Sequence, residues 1–243
     1  AANTTGDCNT ALGVKALNTN TTGGTNTAVG FKSLTANTTG VCNVAIGFCA
    51  LAANTTVSGS LAVGACALLS NTSGTGNTAL GQRALVCNTT GTENVAIAFR
   101  ALKCNTSGAQ NIAISYESLC ANTTGAQNTS VGFRSLYANT TANNNTGLGW
   151  CSLTANTTGA ENTAVGSNAL KSNNTGSRNT SVGYVSFCDL SGAGNDNTGV
   201  GYGVGCAITT GDENALLGYR AGFNITTGSC NIAIGPSACT DAG

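Results

Sequence analysis

The sequence predicts an all-β fold, a parallel β-solenoid with about 17 residues in each coil. A 17-residue unit of the form x-A-N-T-T-G-x-x-N-T-A-V-G-x-x-A-L recurs fourteen times between Ala1 and Cys239, with one residue added within 188–205. Each copy holds a short run of alternating apolar and small residues, bounded by Gly, Asn and Thr. A fixed period indicates units that bury their apolar face only by stacking on the next unit. We predict a single solenoid over residues 1–239 and a C-terminal tail over residues 240–243.

The predicted strand lies near the end of each copy. We number each copy 1 to 17, so that Leu17 ends the first copy and Leu170 ends the tenth. Position 12 is always Val, Ile or Leu, and position 10 is Thr or aliphatic. Alternation at positions 10 and 12 predicts a short strand with one buried face, completed by the Leu at position 17. In the tenth copy this interpretation places Val165 and Leu170 in the core. No segment has a 3.6-residue pattern long enough for a helix.

Small residues lie between and after the two apolar positions. Position 11 is Ala, Ser or Gly except at Leu216, and position 13 is Gly in all but two copies. Since position 11 alternates with the predicted core positions, Ala164 and Gly166 are expected on an outward, flat stripe. Two explanations stay open, namely steric crowding in a tight coil and close packing of another rod on the stripe.

Aromatic residues concentrate at position 14, which holds nine of the twelve in the chain. They are Phe31, Phe48, Phe99, Tyr116, Phe133, Trp150, Tyr184, Tyr202 and Tyr219. Strand alternation predicts that these rings point inward and stack at the end of the core. The rival interpretation is an exposed aromatic ribbon that binds glycans or a partner. Position 15 is mostly polar or charged, which suits a solvated face.

Position 9 is Asn in thirteen copies, and Ser60 is the exception. Equivalent residues in successive coils lie about 4.8 Å apart, and stacked Asn side chains at this spacing form hydrogen-bonded ladders. We predict such a ladder at a corner of the coil, and a binding role is the less favoured alternative. Its members are Asn9, Asn26, Asn43, Asn77, Asn94, Asn111, Asn128, Asn145, Asn162, Asn179, Asn197, Asn214 and Asn231.

The chain has twelve cysteines and no histidine. No Cys-x-x-Cys spacing occurs, so neither a metal site nor a cofactor is expected. An even cysteine count in a Gly-, Asn- and Thr-rich chain instead predicts an oxidising, extracellular setting. The alternative is that Cys substitutes as a small apolar residue.

Stacking in register would bring cysteines at equal positions within disulfide range. This predicts three disulfides, Cys49–Cys66, Cys87–Cys104 and Cys188–Cys206. Cys104 could instead pair with Cys120, which would leave Cys87 free. Cys8 and Cys230 share position 8 in the first and last copies, so head-to-tail stacking of subunits would join Cys8 to Cys230 or to Cys239.

Position 3 carries a row of Asn-x-Thr/Ser acceptors for N-linked glycans. The acceptor residues are Asn3, Asn20, Asn37, Asn54, Asn71, Asn88, Asn105, Asn122, Asn139, Asn156 and Asn173, and Asn224 adds one in the last copy. One interpretation is partial glycosylation along one corner of an extracellular fibre. The other is that Asn-Thr-Thr-Gly forms a tight turn with side-chain caps.

Composition narrows the classes of function. The formal net charge is zero and 7% of residues are charged, so nucleic-acid binding is not expected. No apolar run approaches the roughly 20 residues that span a bilayer. Without histidine there is no Ser-His or Cys-His pair, and the carboxylates are scattered, so we predict a protein that is not an enzyme.

The segments NVAIG (43–47), NIAIG (231–235) and NTAVG (26–30) resemble the S-V-A-I-G repeat in the heads of trimeric autotransporter adhesins. They are also similar to Asn-Thr-Gly-rich repeats of phage tail fibres and environmental surface proteins. The motif covers about a third of each copy and recurs over the whole chain. Those adhesin heads are left-handed parallel β-rolls that trimerise. The resemblance therefore implies a left-handed coil and a surface fibre or adhesin.

We predict a structural protein that stacks end to end into a filament, outside the cell or on a cell or virion surface. Its main partner is itself, and glycans are a further partner. The alternative is a trimeric adhesin or receptor-binding fibre with a ligand on its lateral face. A second alternative is ice binding by the threonines at positions 4 and 5, which begin with Thr4–Thr5 and Thr21–Thr22.

Overall fold

The computed structural model describes residues 2–238, which divide into two compact units, one ending at Thr124 and the other beginning at Gly125. Both units are parallel β-solenoids, which confirms the predicted fold class. Over residues 2–238 no helix forms. Whether residues 1–239 act as a single domain stays a prediction.

The first unit holds seven three-residue strands, each paired in parallel with the next along the chain. They are β1 (Thr10–Leu12), β2 (Thr27–Val29), β3 (Val44–Ile46), β4 (Leu61–Val63), β5 (Thr78–Leu80), β6 (Val95–Ile97) and β7 (Ile112–Ile114). Equivalent residues lie opposite one another, as Thr10 does with Thr27. One coil therefore takes 17 residues, the period of the sequence repeat.

The second unit repeats this arrangement with seven further strands. They are β8 (Thr129–Val131), β9 (Thr146–Leu148), β10 (Thr163–Val165), β11 (Thr180–Val182), β12 (Thr198–Val200), β13 (Ala215–Leu217) and β14 (Ile232–Ile234). Across the copy with the added residue, Thr180 still pairs with Thr198. The extra residue is accommodated outside the strand, so the register of the sheet is preserved.

Four positions of the coil, 8, 13, 15 and 17, have positive φ wherever the structure describes them. In one coil these are Glu93, Ala98, Arg100 and Leu102, with φ of 57°, 99°, 56° and 50°. These reversals of the backbone let a coil close within 17 residues. Position 13 is usually Gly for a second reason, which is that a Cβ on Gly13 would lie 2.7 Å from the carbonyl oxygen of the next coil's Gly30.

The core is built from positions 11, 16 and 17. In the tenth copy Ala164, Ala169 and Leu170 are fully buried, so the prediction for Leu170 is confirmed. The prediction that position 11 faces outward is wrong, because this middle residue of the strand is buried in every coil after the first. Val165, predicted in the core, is partly exposed instead. The strand alternates as predicted but in the opposite phase, since the narrow interior holds one large side chain per coil and a small one opposite it.

Three coils of the second unit show how tightly this interior is matched. Phe187 replaces the usual Leu at position 17, and its neighbours Gly199 and Gly205 have no side chain; a Cβ on Gly199 would lie 2.9 Å from Phe187 Cζ. Leu216 replaces the small residue at position 11, and Gly205 and Gly222 flank it at position 17. A larger side chain at one core position therefore goes with glycine at the other, as close packing requires.

Candidate functional site

The asparagines at position 9 form a hydrogen-bonded ladder along the coils of each unit, which in the first unit is interrupted at Ser60. Asn43 shows the pattern: its backbone N–H and its Nδ2 both donate to Asn26 Oδ1 of the preceding coil, at 3.0 and 3.2 Å. Its Nδ2 also donates to the carbonyl oxygen of Val57 in the following coil, at 2.7 Å. Each of these buried amides thus joins three coils, and every member presents a donor to the coil before it and an acceptor to the coil after it.

A second asparagine ladder, which the sequence interpretation missed, lies at position 3. Asn105 Nδ2 donates to Asn88 Oδ1 at 2.8 Å and to the carbonyl oxygen of Gly108 at 2.9 Å. From Asn20 to Asn173 all ten members are buried. The sequence did contain a signal for this second ladder, because position 3 is Asn in eleven copies just as position 9 is Asn in thirteen. The glycan-acceptor motif offered a competing explanation for position 3.

This burial argues against glycosylation at those ten residues, where glycosylation stays a prediction. A glycan is attached to Nδ2, and in the folded coil this atom is enclosed and hydrogen-bonded. The turn interpretation agrees with the burial and the hydrogen bonds. The ten residues are Asn20, Asn37, Asn54, Asn71, Asn88, Asn105, Asn122, Asn139, Asn156 and Asn173. Asn3 and Asn224 are exposed, and glycosylation there stays a prediction.

Both ladders are interrupted in the fourth copy. Ser60 stands where position 9 is otherwise Asn, and its buried Oγ has no hydrogen-bond partner. Asn54 Oδ1, in the position-3 ladder of the same copy, is also buried without a partner. Among the described coils, the fourth therefore has the most buried ladder atoms without a hydrogen-bond partner.

Threonines at position 4 tie each coil to the next on the outside. Thr38 Oγ1, for example, donates to the carbonyl oxygen of Thr55 at 3.0 Å. Equivalent bonds are made by Thr4, Thr21, Thr72, Thr89, Thr106, Thr140, Thr157 and Thr209. These hydroxyl donors are already used within the chain, which weakens the ice-binding alternative.

We call the surface formed by positions 10, 12 and 14 of the coils the outer face. Position 12 is aliphatic in every coil, position 14 is aromatic in nine coils, and position 10 is Thr in eight. Position 12 is partly or well exposed in all fourteen coils, and Leu217 is 50% exposed. The rings at position 14 point outward rather than inward, and Trp150 is 52% exposed. The prediction of an aromatic core is therefore wrong, and the rings are exposed as the rival interpretation has it; that they bind glycans or a partner stays a prediction. The rings follow positions 10 and 12 to the outside because the strand has the opposite phase.

These rings stack along the direction in which the coils are stacked. Ring centroids lie 5.5 Å apart for Phe31 and Phe48 and 5.4 Å apart for Tyr202 and Tyr219. Cations at position 15 lie beside them, such as the Arg220 guanidinium 5.6 Å from the Tyr219 centroid. Such cation–ring contacts contribute about 0.5–1 kcal/mol at exposed sites.

Charge is segregated to the two sides of the outer face. Six of the nine cations stand at position 15, after the strand: Lys15, Lys32, Arg83, Arg100, Arg134 and Arg220. Six of the nine carboxylates stand at positions 7 and 8, before the strand: Asp7, Glu93, Glu161, Asp196, Asp212 and Glu213. The outer face is thus bordered by a mainly acidic row on one side and a mainly basic row on the other. The exceptions are Arg178 at position 8, which is ion-paired with Asp196, and Glu117 at position 15, which is ion-paired with Arg100.

Of the three predicted disulfides, the structure contains Cys188–Cys206, with Cα atoms 5.1 Å apart. Cys49, Cys66, Cys87 and Cys104 are free thiols here, as is Cys120, so those pairings stay predictions. Cys104 N–H donates to the carbonyl oxygen of Cys120 at 3.0 Å, which keeps the alternative pair close as well.

The cysteines predicted to join subunits lie at the two ends of the described chain. Cys8 and Cys230 are exposed free thiols with φ of 57° and 60°, the shared conformation of position 8. The Cys230 thiol donates to Glu213 Oε2 at 3.4 Å, and this bond and the carboxylate charge raise the pKa of Cys230. Cys239 lies outside the described residues.

The chain matches no protein-family model, no curated protein and no solved structure. Among residues 2–238, no helix has the length and apolar character needed to cross a membrane. One group of metal-ligand residues comes close together in that range, Cys188, Asp189 and Cys206, but its two sulfur atoms form the disulfide.

Proposed function

We propose that this is a non-enzymatic structural protein, located outside the cell or on a cell or virion surface, whose molecules stack end to end into a filament. The observation that carries the proposal is the complementarity of the two faces of every coil. Each coil offers Asn donors to one side and Asn Oδ1 acceptors to the other. A coil face that the chain itself leaves uncovered can therefore hydrogen-bond to the opposite coil face of a second copy.

The first and last described coils present such faces. All three residues of β1 are exposed, and an open depression there is lined by Asn3, Asn9, Ala11, Ala16, Leu17 and Asn20. In β14, Ile232 and Ile234 are 72% and 70% exposed. Asn9 is the first member of its ladder and Asn231 the last, so stacking would let Asn9 donate to Asn231 Oδ1 of the next molecule. A head-to-tail contact of this kind does not close on itself and generates filaments.

The disulfide between molecules gives a sharp test of the stacking register. In oxidised material, head-to-tail stacking places Cys8 over Cys230 of the next copy. Non-reducing gels should therefore show a series of disulfide-linked multimers. Cys8→Ser should abolish these multimers. Cys230→Ser should abolish them if Cys230 is the partner of Cys8, and should leave them if Cys239 is. Cys42→Ser is the matched control, because Cys42 is exposed at the same position of an interior coil, and the multimers should persist. Electron micrographs without filaments, together with monomer at every concentration in sedimentation, would contradict the proposal.

The second candidate is an adhesin or receptor-binding fibre, and the exposed aromatic rings favour it. Large exposed apolar patches mark interaction sites. A ligand held by these rings should quench the fluorescence of Trp150, the chain's one tryptophan. Unchanged fluorescence across a glycan array would count against this candidate and leave the filament proposal intact.

A further inference from the structure

We propose that the outer face docks on the outer face of a second copy of this chain, with the coils of both copies stacked in the same direction. This contact is lateral, so it goes beyond end-to-end stacking and uses different residues. Each unit of one copy would meet the same unit of the other.

The apolar character of the outer face calls for such a partner. Strand alternation turns positions 10, 12 and 14 outward, and position 12 is aliphatic in every copy. In the first unit Leu80 is 42% exposed, whereas Ala79 on the other side of the same strand is fully buried. Phe48, which follows β3, is 53% exposed. Within the strand, the larger apolar side chain thus lies outside and the smaller one inside. Burial of apolar surface stabilises by about 25 cal/mol per Å², so a repeated aliphatic column is a strong site for association.

A second copy of the outer face matches this surface in spacing and in charge. Its coils repeat at the same interval, so side chains can interdigitate over many coils. The acidic row of one copy needs a basic row opposite it, and the same chain supplies one on the other side of its own outer face. Complementary rows of this kind fix register and orientation.

The charged rows also select the direction. A half-turn about the stacking direction exchanges the two sides of the outer face, so the acidic row of each copy meets the basic row of the other. A half-turn about the strand direction leaves the sides unchanged, so acidic would meet acidic and basic would meet basic. Only the first arrangement is complementary, and it keeps both stacks pointing the same way.

In register, each coil then faces the same coil of the second copy. Three coils carry both an acid before the strand and a cation after it: Asp7 with Lys15, Glu93 with Arg100, and Glu213 with Arg220. Each acid would meet the cation of its equivalent coil, which makes two ion pairs per coil across the two-fold axis. In the sixth coil Arg100 would be shared with Glu117 of its own chain, which lies 3.3 Å away. Glu213 and Arg220 are both exposed, so they are the best placed for a test.

The apolar part of the contact is tested by Leu80→Asp with Leu217→Asp. Both side chains are exposed in the single chain, so the fold should survive, which circular dichroism checks. Sedimentation equilibrium should show the lateral dimer weakened by at least about a hundredfold, because each copy loses two buried Leu side chains and gains two charges in the contact. Thr158→Asp, at an exposed position away from the outer face, should leave the dimer unchanged. An unchanged dimer in the double Leu variant would overturn the proposal.

The direction is tested by exchanging a charge pair. Glu213→Arg and Arg220→Glu should each weaken the dimer by about tenfold, because a like-charge contact occurs twice across the two-fold axis. The double variant restores opposite charges and should regain the wild-type affinity. Lys171→Glu, outside both rows, is the control and should have no effect. A double variant as weak as the single ones would overturn the parallel arrangement.

Cross-linking of an isotope mixture tests the parallel lateral contact without any mutation. With equal amounts of ¹⁴N and ¹⁵N chain, a carbodiimide should join Asp7 of one copy to Lys15 of the other, giving a mixed-isotope peptide. End-to-end stacking does not bring these two side chains together, since both belong to the first coil. If this cross-link is absent while the disulfide-linked multimers are present, the lateral contact alone is overturned. If the multimers are absent while the cross-link is present, end-to-end stacking alone is overturned.

Discussion

Ser60 is the residue at which the side-chain ladders fail, because a hydroxyl on a short side chain cannot span two coils. Its Oγ and Asn54 Oδ1 are buried without partners. Ser60→Asn should restore the position-9 amide, which in the neighbouring copy donates to the coil before and the coil after. We expect the free energy of unfolding to rise by about 1–2 kcal/mol, since a net hydrogen bond contributes about 1 kcal/mol and an orphaned polar atom costs about as much again.

Urea denaturation followed by circular dichroism measures this effect. Thr56→Asn is the matched control, because Thr56 is exposed in the same copy, and it should change the free energy of unfolding by less than about 0.5 kcal/mol. Equal effects of the two substitutions would show that the amide ladder is not the source of stability.

At the scale of the single coil, the core depends on matched sizes at positions 11 and 17. Gly199→Ala would place a methyl group against the Phe187 ring and should destabilise by about 1–3 kcal/mol through overpacking. Phe187→Leu restores the side chain that position 17 has in the first ten copies. The double variant should therefore be more stable than Gly199→Ala alone. A double-mutant cycle in chemical denaturation gives the coupling, and additive effects would contradict direct contact.

The existence and spacing of the strands could be predicted from the sequence, but which side of each strand is buried could not. The alternation of the sequence shows that positions 10 and 12 of each copy lie on the same face of the strand. The usual rule places the more apolar face in the interior. Here Val165 lies outside and Ala164 inside, because an interior shared with Leu170 has no room for a second large side chain. The rule fails where the outer face is itself suited to an interface.

Asn156 shows the corresponding failure at the candidate site. An Asn-Thr-Thr sequence satisfies a glycan acceptor, a capped turn and a ladder equally well. Only the burial of the side chain and its bonds to Asn139 Oδ1 and to the carbonyl oxygen of Gly159, at 3.0 and 2.9 Å, distinguish the three. Among the cysteines, register alone predicts the pair Cys188–Cys206, whereas Cys49–Cys66 and Cys87–Cys104 stay predictions.

For the molecule as a whole, the buried polar side chains of the described residues are asparagines and serines, which do not titrate, with Glu117 as the one buried carboxylate. The two ladders are amides, and the chain has no histidine, the side chain that ordinarily changes charge between about pH 5 and 8. Stability should therefore depend on pH only outside that interval. At low pH the relevant group is Asp196, whose pKa is lowered below 3.8 by the hydrogen bond and charge of Arg178. This stabilisation is present above the unfolded pKa and is lost as pH falls through the folded pKa.

At high pH the cysteine thiols determine how stability changes with pH. Burial raises the pKa of Cys120 from 9.0 to about 11, and burial is also the first cause of the raised pKa of Cys49, Cys87 and Cys151. A group whose pKa is raised by folding stabilises the folded state below the unfolded pKa, and this contribution is lost as pH rises through the folded pKa. The thermal midpoint of reduced protein should be flat from about pH 5 to 8 and should fall above pH 9. Cys120→Ala should reduce that alkaline fall, whereas a steep change between pH 5 and 8 would contradict an interior held by amides.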